Sequence, residues 1–593
     1  MNILPLCVFR QSRRPEAFEP GLRTLAERSR KVWREMSERT RVALLLAVAM
    51  LVYGNTLLNA FTFDDFLYVL HNPAVTNFSL SGLFVATRDS NVFRPVTFAT
   101  FALDLALEGA HPFGYHLLNL LLHAAVTLLL YLVLRKLLEG VQQGATVAWV
   151  AALLFAVHPI HTEAVASIVG RFELLAVGFL LAAWLLHLDD RPVLAVLCFA
   201  LALLSKESAV AFVPLALAGD YARGKLLPLH RYGWIAGVAV VYTALLWKIQ
   251  GGRFGRANFN FLDNPLAGLP SSLRILNALR VAWKYAGLHV YPATLSCDYS
   301  YNAILLYAGG RHLVIPAVAA LLVLALWIWT LLTKRGEWFL AGAIYLCAFA
   351  ATSNVLLRTG TIMGERLAYL PSAGFCLLFA LLWIRLEKRQ RKLAWAVLAI
   401  VVAALATRTV VRNRDWRDNF ILFSTDVRAV PGSAKIHYCL GSEYLDRGQL
   451  DAARAELQTA RRIFPDSPEA IELSGIIEAQ LGHDQEARRF FEKALSMTRR
   501  ESIGYESWAV NLAALLTKLG ENDNAQKILD QVIAISPEYP LAWLNRAVVH
   551  YHRGETTLAR ADAEQALRLD PASTQAQKLL TLLNTPAPVA PQH

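Results

Sequence analysis

The sequence predicts an all-α protein in two parts: a polytopic membrane helix bundle of about eleven spans, then an α-solenoid of helical repeats. Three observations lead there. Hydrophobic residues make up 55% of the 593 positions, and the mean hydropathy is +0.38, above the usual range of soluble proteins. Runs such as VALLLAVAMLVYGNTLLNAF and LVIPAVAALLVLALWIWTLL approach the roughly 20 residues that cross about 30 Å of hydrocarbon, and they stop after Arg412. Beyond that point the chain is polar and repeats with a period near 34 residues.

The expected domains are a basic cytoplasmic arm at 1–41, a membrane domain at 42–412, a linker at 413–433, repeats at 434–575 and a disordered tail at 576–593. The formal charge of +12 lies largely beside apolar runs, where it reports topology and does not call for nucleic acid. The six cysteines, Cys7, Cys198, Cys297, Cys347, Cys376 and Cys439, have no paired spacing and imply neither a disulfide framework nor a zinc site.

The first apolar run follows a basic arm and lacks a small-residue cleavage signature, so it reads as an uncleaved signal anchor with the N-terminus cytoplasmic. Spans are expected at 42–60, 115–134, 146–157, 174–187, 193–204, 209–218, 234–249, 312–332, 338–356, 373–386 and 393–410. Their basic loops, RKLLEG, DDRP, DYARGKLLPLHR, TKRGEW and EKRQRK, fall on the cytoplasmic side. Residues 272–291 carry Arg274, Arg280 and Lys284 along an apolar helix and read as interfacial. An odd span number then places Asp64 and the repeats in the same, non-cytoplasmic compartment.

The repeats match the tetratricopeptide pattern. Gly441, Tyr444, Gly448, Ala453, Leu457, Ala460 and Pro465 supply small residues at helix crossings, a turn glycine and a closing proline. Copies start near 434, 468, 506 and 540. Such residues serve packing, whereas the concave groove of a solenoid offers a docking surface for an acceptor protein or for a second copy of the chain.

Ionisable residues at membrane depth are costly and usually pair or line a cavity. Asp64, Asp65, Arg94, Asp104, His116, His158, His161, Glu163, Arg171, Lys206, Glu207, Glu365 and Arg366 come from distant spans yet fall at one depth on the outer side. Such a set supports glycosyl transfer from a lipid-phosphate sugar: a carboxylate takes the proton of an acceptor hydroxyl, and cations hold the charge of the departing phosphate. Plainer readings accompany each. Asp64 or Asp65 caps the helix beginning FLYVL; His158 and His161, with Glu163, form only a loose metal set, and hydrogen-bonded structural histidines explain them; Lys206 and Glu207 close a hairpin.

Six segments in order, FTFDDFLYVLHNPAV, FRPVTFATFALDLALEGAHPFGYHLLNLLLHA, HPIHTEAVASIVGRFELLA, LLSKES, PATLSCDYSYN and GERLAYLPSAGF, followed by the repeats, resemble the transmembrane and tetratricopeptide-repeat-containing O-mannosyltransferases. The resemblance implies a GT-C fold and a polyprenyl-phosphate-linked sugar, mannose or another hexose, moved to Ser or Thr of exported proteins, with no further cofactor and no metal. It implies Asp64 as base, Asp65 and Glu163 as acceptor-placing acids, and Arg94, Arg171, Lys206 and Arg366 as donor-phosphate ligands. His116, His158, His161, Glu207 and Glu365 would support them. The Ala- and Arg-rich composition points to a bacterial inner membrane, undecaprenyl phosphate and periplasmic repeats. A lipid or envelope-polysaccharide acceptor, and a non-enzymatic membrane scaffold, are the competing readings.

Overall fold

The computed structural model describes residues 37–84, 92–226, 228–249, 260–497 and 504–584; the arm at 1–36 lies outside them. Among the described residues every regular element is helical. Each of the eleven expected spans coincides with a helix. Seven are long and apolar enough to cross a membrane, and an eighth forms if the bent pair Gly144–Val157 and Pro159–Ala166 is one span. Pro192–Ser205 and Gly336–Ala350 are apolar but shorter. At 1.5 Å per residue, a helix of about 14 residues reaches only about 21 Å. Phe212–Ala222, the sixth expected span, is shorter still.

The bend at His158 and Pro159 has a local cause. Proline at the first position of a new turn has no N–H to continue the preceding helix, and it disfavours the α conformation of the residue before it. His158 is accordingly extended (φ −74°, ψ 124°). The chain turns by 54°, and the short helix Thr162–Ala166 delivers Glu163 to the end of the bundle.

Alternation of loops between the two ends is visible in the ion pairs. At one end Lys136 meets Asp189, Arg231 meets Asp190, and the Lys388 ammonium donates to Gln142 at 3.0 Å. These join RKLLEG, DDRP, the Arg231 loop and EKRQRK, all expected on one side. Arg385 of the same end stacks over Trp338 at 4.2 Å. The amphipathic segment is the helix Ser271–Val290. Its buried Arg274 donates to the Asn354 and Val355 carbonyls at the opposite end.

The expected linker is an ordered helix, Asn419–Ala429, and not a spacer. Leu422 and Phe423 share an apolar core with Ile160, Leu266, Tyr285, Trp416 and Ile436, so the same cluster includes bundle loops, the connecting helix and the first repeat. A buried ion pair pins this junction. Arg412 donates to both oxygens of Asp426 at 2.6 and 3.1 Å, and Asp426 also accepts from the Cys297 N–H at 2.6 Å.

Four helix pairs follow: Ala434–Asp446 with Leu450–Ile463, Pro468–Gln480 with Asp484–Ser496, Tyr505–Lys518 with Asn522–Ile535, and Pro540–His552 with Thr556–Leu569. Close approach at the crossings requires small residues: a Cβ at Gly475 would sit 2.6 Å from the Phe491 ring. The expectation of a disordered tail from 576 is corrected in part, because Thr574–Asn584 is helical and buries Ala576 and Leu579 against the last pair. A solenoid end needs a capping element to cover its last apolar face. Residues 585–593 lie outside the described part.

Truncating Asp426 to alanine leaves Arg412 buried without its main partner, an uncompensated charge that costs about 3–5 kcal/mol. The thermal unfolding midpoint of the detergent-solubilised protein should fall markedly. An unchanged midpoint contradicts the docking role given to the pair.

Candidate active site

The loop after the first span begins a new turn at Thr62. Asp65 reaches back to accept the Thr62 N–H at 2.9 Å, the reciprocal arm of a T-x-x-D capping arrangement. Its other oxygen accepts the Val169 N–H at 2.9 Å and the Ser167 hydroxyl at 3.3 Å. Asp65 is fully buried. The expectation that it handles the acceptor is replaced: it joins two loops and cannot reach a substrate. Asp64 lies about 100° around the same turn and points elsewhere.

Arg366, from the turn Glu365–Ala368, donates to Asp64 through both terminal nitrogens at 3.1 Å. Its Nε lies 3.2 Å from Glu163, and its backbone N–H donates to Glu163 at 2.8 Å. The guanidinium thus bridges two carboxylates from separate loops. The side chains of Asp64 and Arg366 keep 20% and 27% of their exposure, whereas Glu163 keeps 3%. Asp64 is therefore the acid of this group that faces the opening.

Further groups ring the mouth. Arg94 pairs with Glu207 at 2.9 Å and stacks over Phe172 at 4.4 Å. Lys206, itself buried, pairs with buried Glu173 behind the mouth and interacts electrostatically with Arg94, Glu207 and Arg366. The neighbouring Arg94 and Lys206 charges hold the half-exposed Glu207 low, at about 2. Desolvation lowers Lys206 despite Glu173. Arg94, Lys206 and Arg366 thus gather three cations near one end of the bundle, each paired with a carboxylate.

Other sequence candidates serve structure. Arg171 is buried and saturated by Asn119 Oδ1 at 2.9 Å, the Tyr115 carbonyl at 3.0 Å and Asp104, so it is not available to a phosphate. His158 Nε2 donates to the His289 carbonyl at 3.1 Å while Nδ1 accepts the Ile160 N–H at 3.2 Å. His161 Nε2 bonds the Ser372 hydroxyl at 2.7 Å. His116 is buried inside Pro112–Leu137. Glu365 accepts from the Ser296 N–H and the Tyr299 hydroxyl, both at 2.6 Å, anchoring the PATLSCDYSYN loop.

Two residues of the mouth escape sequence reading. Tyr68 interacts with Asp64, Arg94, Arg366 and Lys435, and burial followed by the Asp64 charge raises its hydroxyl. Its signal was available, since it lies four residues after Asp64 on one helical face. Lys435 belongs to the first repeat. It pairs with Asp263 at 2.9 Å and interacts with Asp64. Nothing local marks it. Phe63 is held at φ 50°, where a bulky residue is a true outlier that costs about 1–3 kcal/mol.

A helical membrane protein with an acid and cation cluster at the mouth of its bundle, and a repeat solenoid on the same end, is the class that fold and site define. The family model for the tetratricopeptide repeat matches residues 438–503 and 510–574. Protein O-mannosyl-transferase F38B6.6 of Caenorhabditis elegans is 31% identical over 75% of this chain and 65% of its own length. Protein O-mannosyl-transferase TMTC3 of Mus musculus is 28% identical over 89% of this chain and 64% of its length, and mouse TMTC4 is 29% identical over 68% and 64%. Over most of its length the chain is similar to these protein O-mannosyl-transferases, and it carries tetratricopeptide repeats. It spans about two thirds of the length of these relatives.

Burial raises the Asp65 carboxyl to about 7, outweighing the backbone N–H groups of Thr62 and Val169 that favour ionisation. Its contribution to stability is therefore full below about pH 4, the unfolded value, and is lost as pH rises through about 7. Asp65→Asn, which cannot ionise, should gain stability relative to the parent across that window. Unfolding midpoints at about pH 4 and pH 8 test this, and a constant difference between the two proteins contradicts it.

Proposed function

We propose that the protein is a membrane-embedded protein O-mannosyltransferase that moves a hexose, mannose by its relatives' names, from a polyprenyl-phosphate carrier to Ser or Thr hydroxyls. The observation that carries the reading is Asp64, half-open at the mouth and fixed by the guanidinium that also holds Glu163. The relatives are named as O-mannosyl-transferases, and the cluster supplies the groups that this chemistry needs.

The acceptor hydroxyl enters at the mouth, and Asp64 takes its proton while the oxygen attacks the sugar C1. The bond from C1 to the phosphate oxygen breaks, and its electron pair leaves with the polyprenyl phosphate. Inversion at C1 follows from a single displacement. Arg94 and Lys206 hold the developing phosphate charge, with Glu207 yielding its place on Arg94 to the donor. Arg366 keeps the Asp64 carboxylate aimed, and Glu163 keeps Arg366 in place. In this reading the mouth opens to the non-cytoplasmic side, the periplasm of a bacterial cell, and the groove of the repeats gathers the acceptor protein.

Transfer of labelled mannose from a polyprenyl-phosphate donor to a Ser/Thr peptide, by the purified chain in nanodiscs, tests the reading. Asp64→Asn should lower the rate by roughly 10² to 10⁴. Full activity in that variant defeats the assignment. Arg94→Met should raise KM for the donor more than KM for the peptide. Mass spectrometry of envelope proteins from cells with and without the chain separates acceptors: loss of hexose from Ser and Thr supports protein transfer, and unchanged proteins beside altered glycans oppose it.

A further inference from the structure

The first loop is stitched to the segment that leaves the membrane. Asn59 donates to the Asn413 carbonyl at 3.1 Å, and the Ala60 N–H donates to the Arg417 carbonyl at 2.9 Å. Asn413 in turn donates to the Val52 carbonyl at 3.0 Å and to Asn55 at 2.8 Å. These contacts tie residues more than 350 apart in sequence.

The tie becomes specific at Phe63, the residue before Asp64. Its N–H donates to Asn419 Oδ1 at 2.8 Å. Its ring meets Phe423 edge-on, with centroids 5.9 Å apart, and lies 5.1 Å beneath the Lys435 ammonium. Asn419 and Phe423 belong to the connecting helix Asn419–Ala429, and Lys435 to the first repeat helix. Lys435 is itself braced by Asp263 at 2.9 Å and Asp298 at 3.9 Å. A bulky residue at φ 50° persists only where its surroundings over-determine it, and here the surroundings are supplied by the segment after the last span.

We propose that Asn419, Phe423 and Lys435 are positioning residues for Asp64, so that the first repeat forms a wall of the active-site mouth as well as a docking module for acceptors. They act through Phe63: the clamp fixes the left-handed turn, and that turn sends Asp64 to the opening while Asp65 faces the interior. Lys435 also presents its charge to Asp64. The inference rests on the proposed transferase reading. The groups facing Asp64 are Arg366 from the Glu365–Ala368 turn, Glu163 from Thr162–Ala166, Asp65 and Tyr68 from its own turn, and Lys435 and Cys439 from the repeat.

The test uses the full chain in nanodiscs with the mannosyl-phosphate donor and the Ser/Thr peptide. Lys435→Met keeps the aliphatic stem and removes the charge. It should lower kcat at least tenfold and leave KM for the donor within about twofold. Lys435→Arg should restore the rate, and both variants should remain folded and monodisperse on size-exclusion chromatography. Phe63→Leu, which keeps bulk and loses the ring, should reproduce the loss in kcat. Unchanged kcat in Lys435→Met, in a preparation where Asp64→Asn is inactive, overturns the inference. Full activity of Asp64→Asn instead overturns the transferase reading on which it rests, so the two failures are distinguishable.

Discussion

The guanidinium of Arg366 between Asp64 and Glu163 is the constraint around which the mouth is organised. Two carboxylates brought this close repel each other, and partial removal from water makes the repulsion stronger. A fixed cation between them resolves the conflict and ties three loops to one point. Every other feature of the mouth answers to that arrangement. The break at His158 and Pro159 brings Glu163 to the buried side of Arg366, the Glu365 carboxylate anchors the turn that carries Arg366, and the capping role of Asp65 frees Asp64 to face outward.

The helical class was legible because apolar runs and a 34-residue period are local properties of the chain. All eleven expected spans fall on helices, although four of those helices are short or bent. The site was legible as a set of residue types at one depth and not as a set of pairs. Asp64 and Arg366 are 302 residues apart, and no local pattern chooses Arg366 over Arg171. The structure makes that choice through burial: Arg171 has all three guanidinium nitrogens bonded inside the bundle, whereas Arg366 stays at the opening. The separation of Asp64 from Asp65 is similarly a matter of one residue's rotation around a turn, which sequence spacing alone leaves open.

The linker and the tail show the opposite failure. Residues 413–433 and 576–584 have weak apolar patterning, so they read as connecting or disordered chain. Their order comes from long-range partners. Asp426 finds Arg412 and the Cys297 N–H, and the last helix finds the exposed face of the fourth repeat. A connecting helix locked in this way removes the freedom expected of a tethered domain, and the repeats take a fixed place beside the mouth.

The proposed convergence of these loops on a lipid-linked donor is tested most directly by a cryo-EM reconstruction of the chain in nanodiscs with a non-transferable mannosyl-phosphate polyprenol and a Ser/Thr peptide. The account predicts donor phosphate against Arg94 and Lys206, with the peptide hydroxyl and the sugar C1 beside Asp64. Density for the donor at the opposite end of the bundle, or a peptide hydroxyl far from Asp64, would contradict it.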